Sequence, residues 1–377
     1  MLRQIPVNQL KPDMILAEEI ISPEGNLTLG QGTVITESWV TRIANWGITS
    51  IKVKNEKELT GFNDNELERM LQSVLQPSKP HKDVMPAKTT ISEMFFKGYN
   101  AVESQLCGIF LRTRCNGKVD IDGMEKLSVK VVDSILSIPD VLQFLHIPTR
   151  GENYMYRHAL DVAVYAGLLA RWLKCPKKDV VAVVFAGLLH DIGKAKVRFE
   201  IISKPSELNE EEHTMAQNHV HHGYKILTNN GNVPPKILLA VQQHHERMDG
   251  SGYPDGVQGE DITVFAKIIA IADVYDALTS DRYYRKAVTP LQAMDIMIHE
   301  MVGSFDVEMM NIFLTNICQK LLGETVLLSN GVRGTIVSFS EYPHLKPTIE
   351  LGDGKLLDFT SCSDIRVKKI IFTESQK

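Results

Sequence analysis

Val180-Val181-Ala182-Val183-Val184-Phe185-Ala186-Gly187-Leu188-Leu189-His190-Asp191-Ile192-Gly193-Lys194 decides how this chain is to be read. The run from Val180 to Leu189 is apolar throughout and ends on a histidine and an aspartate, with a glycine and a lysine just beyond. It is far shorter than the about 20 residues needed to cross a bilayer, so it reads as a helix buried in a protein core. Burying a carboxylate beside an imidazole at the end of such a helix costs roughly several kcal/mol unless the charge is compensated. A bound divalent metal does that directly. A core hydrogen bond between His190 and Asp191 is the plainer reading, and the pair alone does not separate the two.

The surroundings favour the metal. Eight of the twelve histidines lie between His158 and His245, and imidazole with carboxylate is the donor set of iron, manganese and zinc sites. Within Val264 to Leu278, Asp273 interrupts an apolar helical pattern and Asp276 follows one turn later on the same face. Such a carboxylate is either a ligand pointing into a polar centre or a surface residue that the pattern misplaces. His158 opens an amphipathic segment through Asp161, Tyr165 and Trp172, and alone it reads as a core or capping histidine. In His219-Val220-His221-His222-Gly223, His219 and His222 share a helical face, and residue chemistry does not choose among the three histidines. His213, beside Glu210, Glu211 and Glu212, reads as a surface residue.

A third element, Gln243-His244-His245-Glu246-Arg247-Met248-Asp249-Gly250-Ser251-Gly252-Tyr253-Pro254-Asp255-Gly256, runs a histidine pair into a glycine-rich loop. Adjacent histidines cannot point the same way on a regular helix, so a helix end or a two-sided site is implied. The loop reads as a surface turn on its own, and as a substrate-facing wall after that histidine pair.

The rest of the chain frames these motifs. Its 377 residues predict two or three units, and 44% apolar with 23% charged residues is ordinary globular composition. A net charge of −5 gives no general attraction to a polyanion, so DNA and RNA are not expected partners, and a phosphate-bearing ligand must be held by a local basic cluster or by metals. Met1 to Leu10 lacks the marks of a signal peptide, and no membrane insertion is expected. Cys107, Cys115, Cys175, Cys318 and Cys362 are scattered, without a C-x-x-C pair, which fits a reducing cytoplasm.

The segments predict a mainly α protein. Residues 1–55 read as a small α/β module, with a helix over Glu37 to Trp46 between Thr36 and Gly47 and a strand over Thr49 to Val53. Residues 56–90 read as a linker with one helix around Asn65 to Val74. Residues 91–322 carry helical spacing nearly throughout, and 323–377 read as a small β-rich domain with turns at Asn330-Gly331 and Asp353-Gly354.

From about His158 to Asp306 the residues closely resemble the HD-GYP family, a branch of the HD-domain metal-dependent phosphohydrolases, through His190-Asp191, Gly252-Tyr253-Pro254 and the whole His-His-Glu-Arg-x-Asp-Gly-Ser-Gly-Tyr-Pro run. The resemblance implies an all-helical HD-type catalytic domain that hydrolyses cyclic di-GMP to pGpG, and in some members on to GMP. It implies a centre of iron or manganese, and zinc, nickel or magnesium also suit such donors. By position, the metal ligands would be His158, His190, Asp191, His219, His244, His245 and Asp273, with Asp191 bridging and a metal-bridging hydroxide as nucleophile. Lys194 would contact the scissile phosphate, Arg282 and Arg285 the nucleotide phosphates, and Gly252, Tyr253 and Pro254 would form the substrate-facing loop, with Asp276 just outside the ligand set. Three-metal members resemble one another in a glutamate four residues before the first ligand histidine. Here that position is Tyr154, with Glu152 two residues earlier, so two metals are expected.

Two rivals follow from the same residues: an HD phosphohydrolase for another cyclic or linear nucleotide, and a nucleotide-sensing scaffold without turnover. The GYP loop and the terminal domains would be the surfaces for signalling partners. The helices before His158 would be the surface for a homodimer.

Overall fold

A computed structural model describes residues 3–11, 14–17, 20–21, 28–29, 35, 40, 43, 48–54, 91–138, 141–145, 154–202, 204, 206–281, 286–361 and 364–372. The chain divides into two compact units, Met1–Met85 and Pro86–Lys377.

In the first unit, β1 (Arg3–Pro6), β2 (Ile15–Leu16) and β5 (Ser50–Lys54) form an antiparallel sheet in the order β1-β5-β2, and β3 (Ile20–Ile21) pairs with β4 (Thr28–Leu29). Ile5, Leu16, Ile35, Ile43, Ile51 and Val53 build its core. The strand expected at Thr49–Val53 is found one residue later. Of the helix expected over Glu37–Trp46 only Val40 and Ile43 are described, and the segment around Asn65 to Val74 lies outside the described residues.

The second unit opens with the long helix α1 (Ile91–Asn116), followed by α2 (Ile121–Lys130) and the short α3 (Val141–Leu145). The centre is built from α4 (Tyr154–Trp172), α5 (Lys177–Leu189), α8 (His219–Asn229), α9 (Pro235–Gln243) and α10 (Val264–Thr279), with α6 (Phe199–Ile202) and α7 (Glu210–Gln217) on the connection from α5 to α8. Two further helices, α11 (Pro290–His299) and α12 (Val307–Leu321), lead into the sheet. Helices α5 and α10 are apolar nearly all round because both are enclosed in the core. Tyr165, Tyr275 and Phe313 lock α4, α10 and α12 together edge to face, with centroids of Tyr165–Tyr275 and Tyr275–Phe313 both 5.2 Å apart.

The carboxy-terminal strands β6 (Thr325–Leu328), β7 (Arg333–Phe339), β8 (Pro347–Leu351), β9 (Leu356–Asp358) and β10 (Val367–Ile371) form an antiparallel sheet in the order β10-β6-β7-β8-β9. Both predicted turns are hairpin turns of this sheet, with positive φ at Gly331 (84°) and Gly354 (79°). Val326, Ile336 and Ile349 belong to the same hydrophobic core as the helices. Lys346 adds an ion pair to Asp295 of α11 at 2.6 and 2.7 Å. Among the described residues no helix is long and apolar enough to cross a membrane.

Candidate metal centre

The apolar run of α5 delivers His190 to the point where the helix stops. His190 is the residue after Leu189, and the chain tightens there into a 3-10 turn, Ile192–Lys196. That turn lies so close to α8 that a methyl group on Gly193 would stand 1.8 Å from the His219 carbonyl oxygen. Glycine is therefore what lets Asp191 and His219 face one another. His244 likewise follows the last residue of α9, the helix end that the histidine pair predicted.

Three histidines share one device. Their Nδ1 atoms lie 2.7 Å from the backbone carbonyl three residues earlier: His190 to Gly187, His219 to Ala216 and His244 to Val241. A carbonyl only accepts, so each Nδ1 carries the proton and each Nε2 turns a lone pair inward. His158 is oriented by a carboxylate instead, Nδ1 donating to Asp276 Oδ2 at 2.6 Å.

Around these nitrogens, Asp191 Oδ1 is 3.3 Å from His219 Nε2, while Asp191 Oδ2 is 3.4 Å from His190 Nε2 and 3.7 Å from His158 Nε2. Asp273 stands 3.2 Å from His158 Nε2 and 3.7 Å from His245 Nδ1. The structure thus gathers all seven residues that the resemblance singled out. Their donor atoms fall into two groups, each within 4.8 Å: Asp191, His219, His244 and His245, and His158, His190 and Asp273.

The donors fit divalent cations. Among the described residues, His190 Nε2 and Asp191 Oδ1 are buried without a hydrogen-bond partner, an arrangement that costs about 1–3 kcal/mol per atom in a protein interior when left unmet. His219 and His244 face each other through their Nε2 atoms at 3.3 Å, two lone pairs with no proton between them. Burial pulls the His219 imidazole down to about 4 and holds His244 and His245 well below the usual histidine range, so all three are neutral, the form that ligates metals. Burial opposes charge on His158 too, but its hydrogen bonds to Asp273 and Asp276 prevail and raise it to about 9. Burial would likewise raise Asp191, but Lys194 and His190 hold its carboxyl well below the ordinary range.

Lys194 Nζ donates to Asp191 Oδ2 at 2.5 Å and keeps 29% of its side chain exposed. Tyr253 stacks on His245 with centroids 4.6 Å apart, and burial pushes its phenol above the usual tyrosine value. Gly252 makes this approach feasible, because a methyl group there would stand 2.4 Å from the His245 carbonyl oxygen. The Tyr253–Pro254 peptide bond is cis.

His213 is exposed, as expected. His222 is half-buried on α8 and is not among the grouped donors. Tyr154 begins α4 one turn before His158, and its side chain, Glu152, Arg282 and Arg285 lie outside the described residues. Sequence reasoning assigned no role to Glu246, which is buried and accepts from the Asp255 N–H at 2.8 Å, tying down the loop after the histidine pair. It also missed Asp161, buried on α4, whose Oδ1 accepts from the Tyr99 hydroxyl at 2.5 Å. Glu246 was legible as a carboxylate inside a specific motif, whereas nothing local in the sequence links residues 99 and 161.

Residues 148–309 match the HD domain family. The chain is 31% identical over 249 residues to cyclic di-GMP phosphodiesterase PA4108 of Pseudomonas aeruginosa, covering 66% of this chain and 60% of that protein. It is 39% identical over 169 residues to 3'3'-cGAMP-specific phosphodiesterase 3 of Vibrio cholerae, covering 45% and 36%. With the cyclic di-GMP phosphodiesterase response regulator RpfG of Xanthomonas campestris it shares 42% over 126 residues, covering 33% of each chain. The chain therefore spans 60% or less of the length of these relatives. In fold it is similar to Bd1817, an HDG"Y"P protein from Bdellovibrio bacteriovorus, with TM-score 0.52 at 15% identity over 84% of this chain and 99% of that one. The helical centre is thus similar to an HD domain and gathers His and Asp side chains that could hold metal. The His190-Asp191 pair and the Gly252-Tyr253-Pro254 loop both lie within the matched residues.

Proposed function

We propose that this protein is a metal-dependent phosphodiesterase that hydrolyses cyclic di-GMP to pGpG. The observation that carries this reading is the convergence of seven His and Asp donors into two groups. Two divalent ions, iron or manganese, would be held by them, and Asp191 is the carboxylate that faces both groups through its two oxygens. Bound there, such ions supply Lewis acidity, acidifying water toward neutral pH and drawing charge from the phosphoryl oxygens.

The chain's own residues do the rest. Asp276 and the three backbone carbonyls fix the tautomers and ring planes of four histidines before any ligand arrives, so little reorganisation is needed on binding. Lys194, anchored on Asp191 and partly open to solvent, adds positive charge at the scissile phosphate and has a proton to give the leaving ribose oxygen. Tyr253 presents a flat face beside His245 against which a guanine packs. Arg282 and Arg285 are assigned to the nucleotide phosphates, which their planar forks suit.

The 39% identity to a 3'3'-cGAMP-specific enzyme supports a second reading, in which the preferred substrate is another cyclic dinucleotide. Hydrolysis of a panel of cyclic dinucleotides with Mn²⁺ or Fe²⁺ under reducing conditions separates the two. Cyclic di-GMP should be turned over fastest; turnover of 3'3'-cGAMP alone would replace the substrate, and no turnover of any would remove the activity. Metal content tests the scaffold alternative, since a sensor without chemistry has no need to retain about two metal ions per chain.

A further inference from the structure

Helix α9 ends at Gln243, and the carbonyls that follow it, of His244, His245 and Glu246, need donors from outside the helix. One side chain supplies two of the three. Arg247 Nη1 donates to the Glu246 carbonyl at 2.9 Å and to the His244 carbonyl at 3.3 Å. The carbonyl between them, of His245, accepts from the Tyr253 N–H at 3.2 Å. Gly252 packs on the same stretch, where a methyl group would stand 2.5 Å from both Glu246 Cα and the Arg247 backbone nitrogen. The turn 244–247 and the loop at 252–253 are therefore in direct backbone contact, and one cannot shift without the other. Arg247 is itself seated. Its Cζ lies 5.3 Å from the ring centroid of Phe305, which is buried in the hydrophobic core of the helices. The Met248 N–H donates to the Ser304 carbonyl at 3.0 Å, so the connection from α11 to α12 backs this turn at two adjacent residues.

We propose that Arg247 is a positioning residue for substrate binding: its guanidinium, seated on Phe305, pins the carbonyls on either side of His245 and so sets where Tyr253 stands against that ring. This rests on the reading of Tyr253 as the face against which a guanine packs. A planar guanidinium suits both tasks, lying on an aromatic ring while donating in its own plane, which a compact ammonium does less well. Without it the His244 and Glu246 carbonyls lose this donor and the turn relaxes toward other partners. The Tyr253 N–H, bonded to the carbonyl between them, moves with it. The imidazoles of His190, His219 and His244 do not depend on Arg247, because each is fixed by a carbonyl three residues before it. Loss of Arg247 should therefore be felt in dinucleotide binding rather than in metal binding.

The test compares four full-length variants: Arg247→Met, which keeps an apolar stem and removes the donors, Arg247→Lys, Tyr253→Ala, and Arg247→Met combined with Tyr253→Ala. The measurements on the Mn²⁺-loaded proteins are kcat and KM for cyclic di-GMP, Mn²⁺ affinity by chelator competition, and thermal midpoint. Arg247→Met should raise KM about tenfold, with kcat and Mn²⁺ affinity near the parent values. Arg247→Lys should lie between it and the parent. Tyr253→Ala should raise KM at least as much, and adding Arg247→Met should raise it no further, because an arginine that acts through Tyr253 then has nothing left to position. Should Arg247→Met not fold, Arg247→Lys alone and with Tyr253→Ala gives the same comparison. Parent-like KM in the Arg247 variants, increases that multiply in the double variant, or a fall in Mn²⁺ affinity as large as the rise in KM would overturn the proposal. A parent protein that does not turn over cyclic di-GMP would overturn the proposed function itself.

Discussion

The site has a floor and a wall, and they are built differently. On the floor, His158, His190, Asp191 and Asp273 project from helices α4, α5 and α10 or their ends, all nearly inaccessible to solvent. The wall is the loop after α9, where Asp249, Ser251 and Asp255 are exposed and whose backbone is held by Glu246 and the close pass at Gly252. The floor is rigid because its ligands sit on packed helices with their donors fixed by hydrogen bonds. The wall is a loop with exposed side chains at its tip, which suits a surface that meets substrate. Floor residues should therefore govern metal binding, and wall residues substrate binding.

The largest break should come from His190→Ala with Asp191→Ala, which removes donors from both groups. Metal retention on purification and turnover should both fall to background, and surviving activity would refute the site. Asp276→Asn keeps the size but weakens the acceptor for His158 Nδ1. It should cost about 10- to 100-fold in metal affinity, read by chelator competition. Glu246→Ala should sharpen the contrast from the other side. The metals should stay, while loss of the tether to Asp255 should raise KM about tenfold, the effect of roughly 1.4 kcal/mol.

The smallest effect concerns pH in the metal-free protein. The folded-state pKa of His219 is lowered from 6.5 to about 4, so the unfolded chain binds the extra proton first. Stability from this group is present above pH 6.5 and is lost as pH falls toward 4. Denaturant titrations at several pH values should show that slope, and His219→Gln should flatten it.

Much of the floor was legible because its polar residues interrupt otherwise apolar helices. Asp273 inside Val264–Leu278 and the pair closing Val180–Leu189 had to be either errors of pattern or inward-facing groups, and burial shows the second. The choice of His219 over His222 was not legible from residue chemistry, since both lie on one helical face. It rests on the Gly193 contact, which brings the α8 backbone at residue 219 against the turn after Asp191. The wall was legible only as a motif, because the close backbone pass at Gly252 and the tether from Glu246 to the Asp255 N–H leave no periodic pattern in the sequence. The hydrogen bond from Tyr99 to Asp161 was illegible, since the two are 62 positions apart and each reads locally as an ordinary helix residue.

The most direct test is a crystal structure of the Mn²⁺-loaded protein with a non-hydrolysable cyclic dinucleotide, using anomalous scattering to count metals. Two peaks should appear, one among Asp191, His219, His244 and His245 and one among His158, His190 and Asp273, with an Asp191 oxygen on each and Lys194 at the phosphate. No peak in either group, or a dinucleotide bound away from them, would contradict the account.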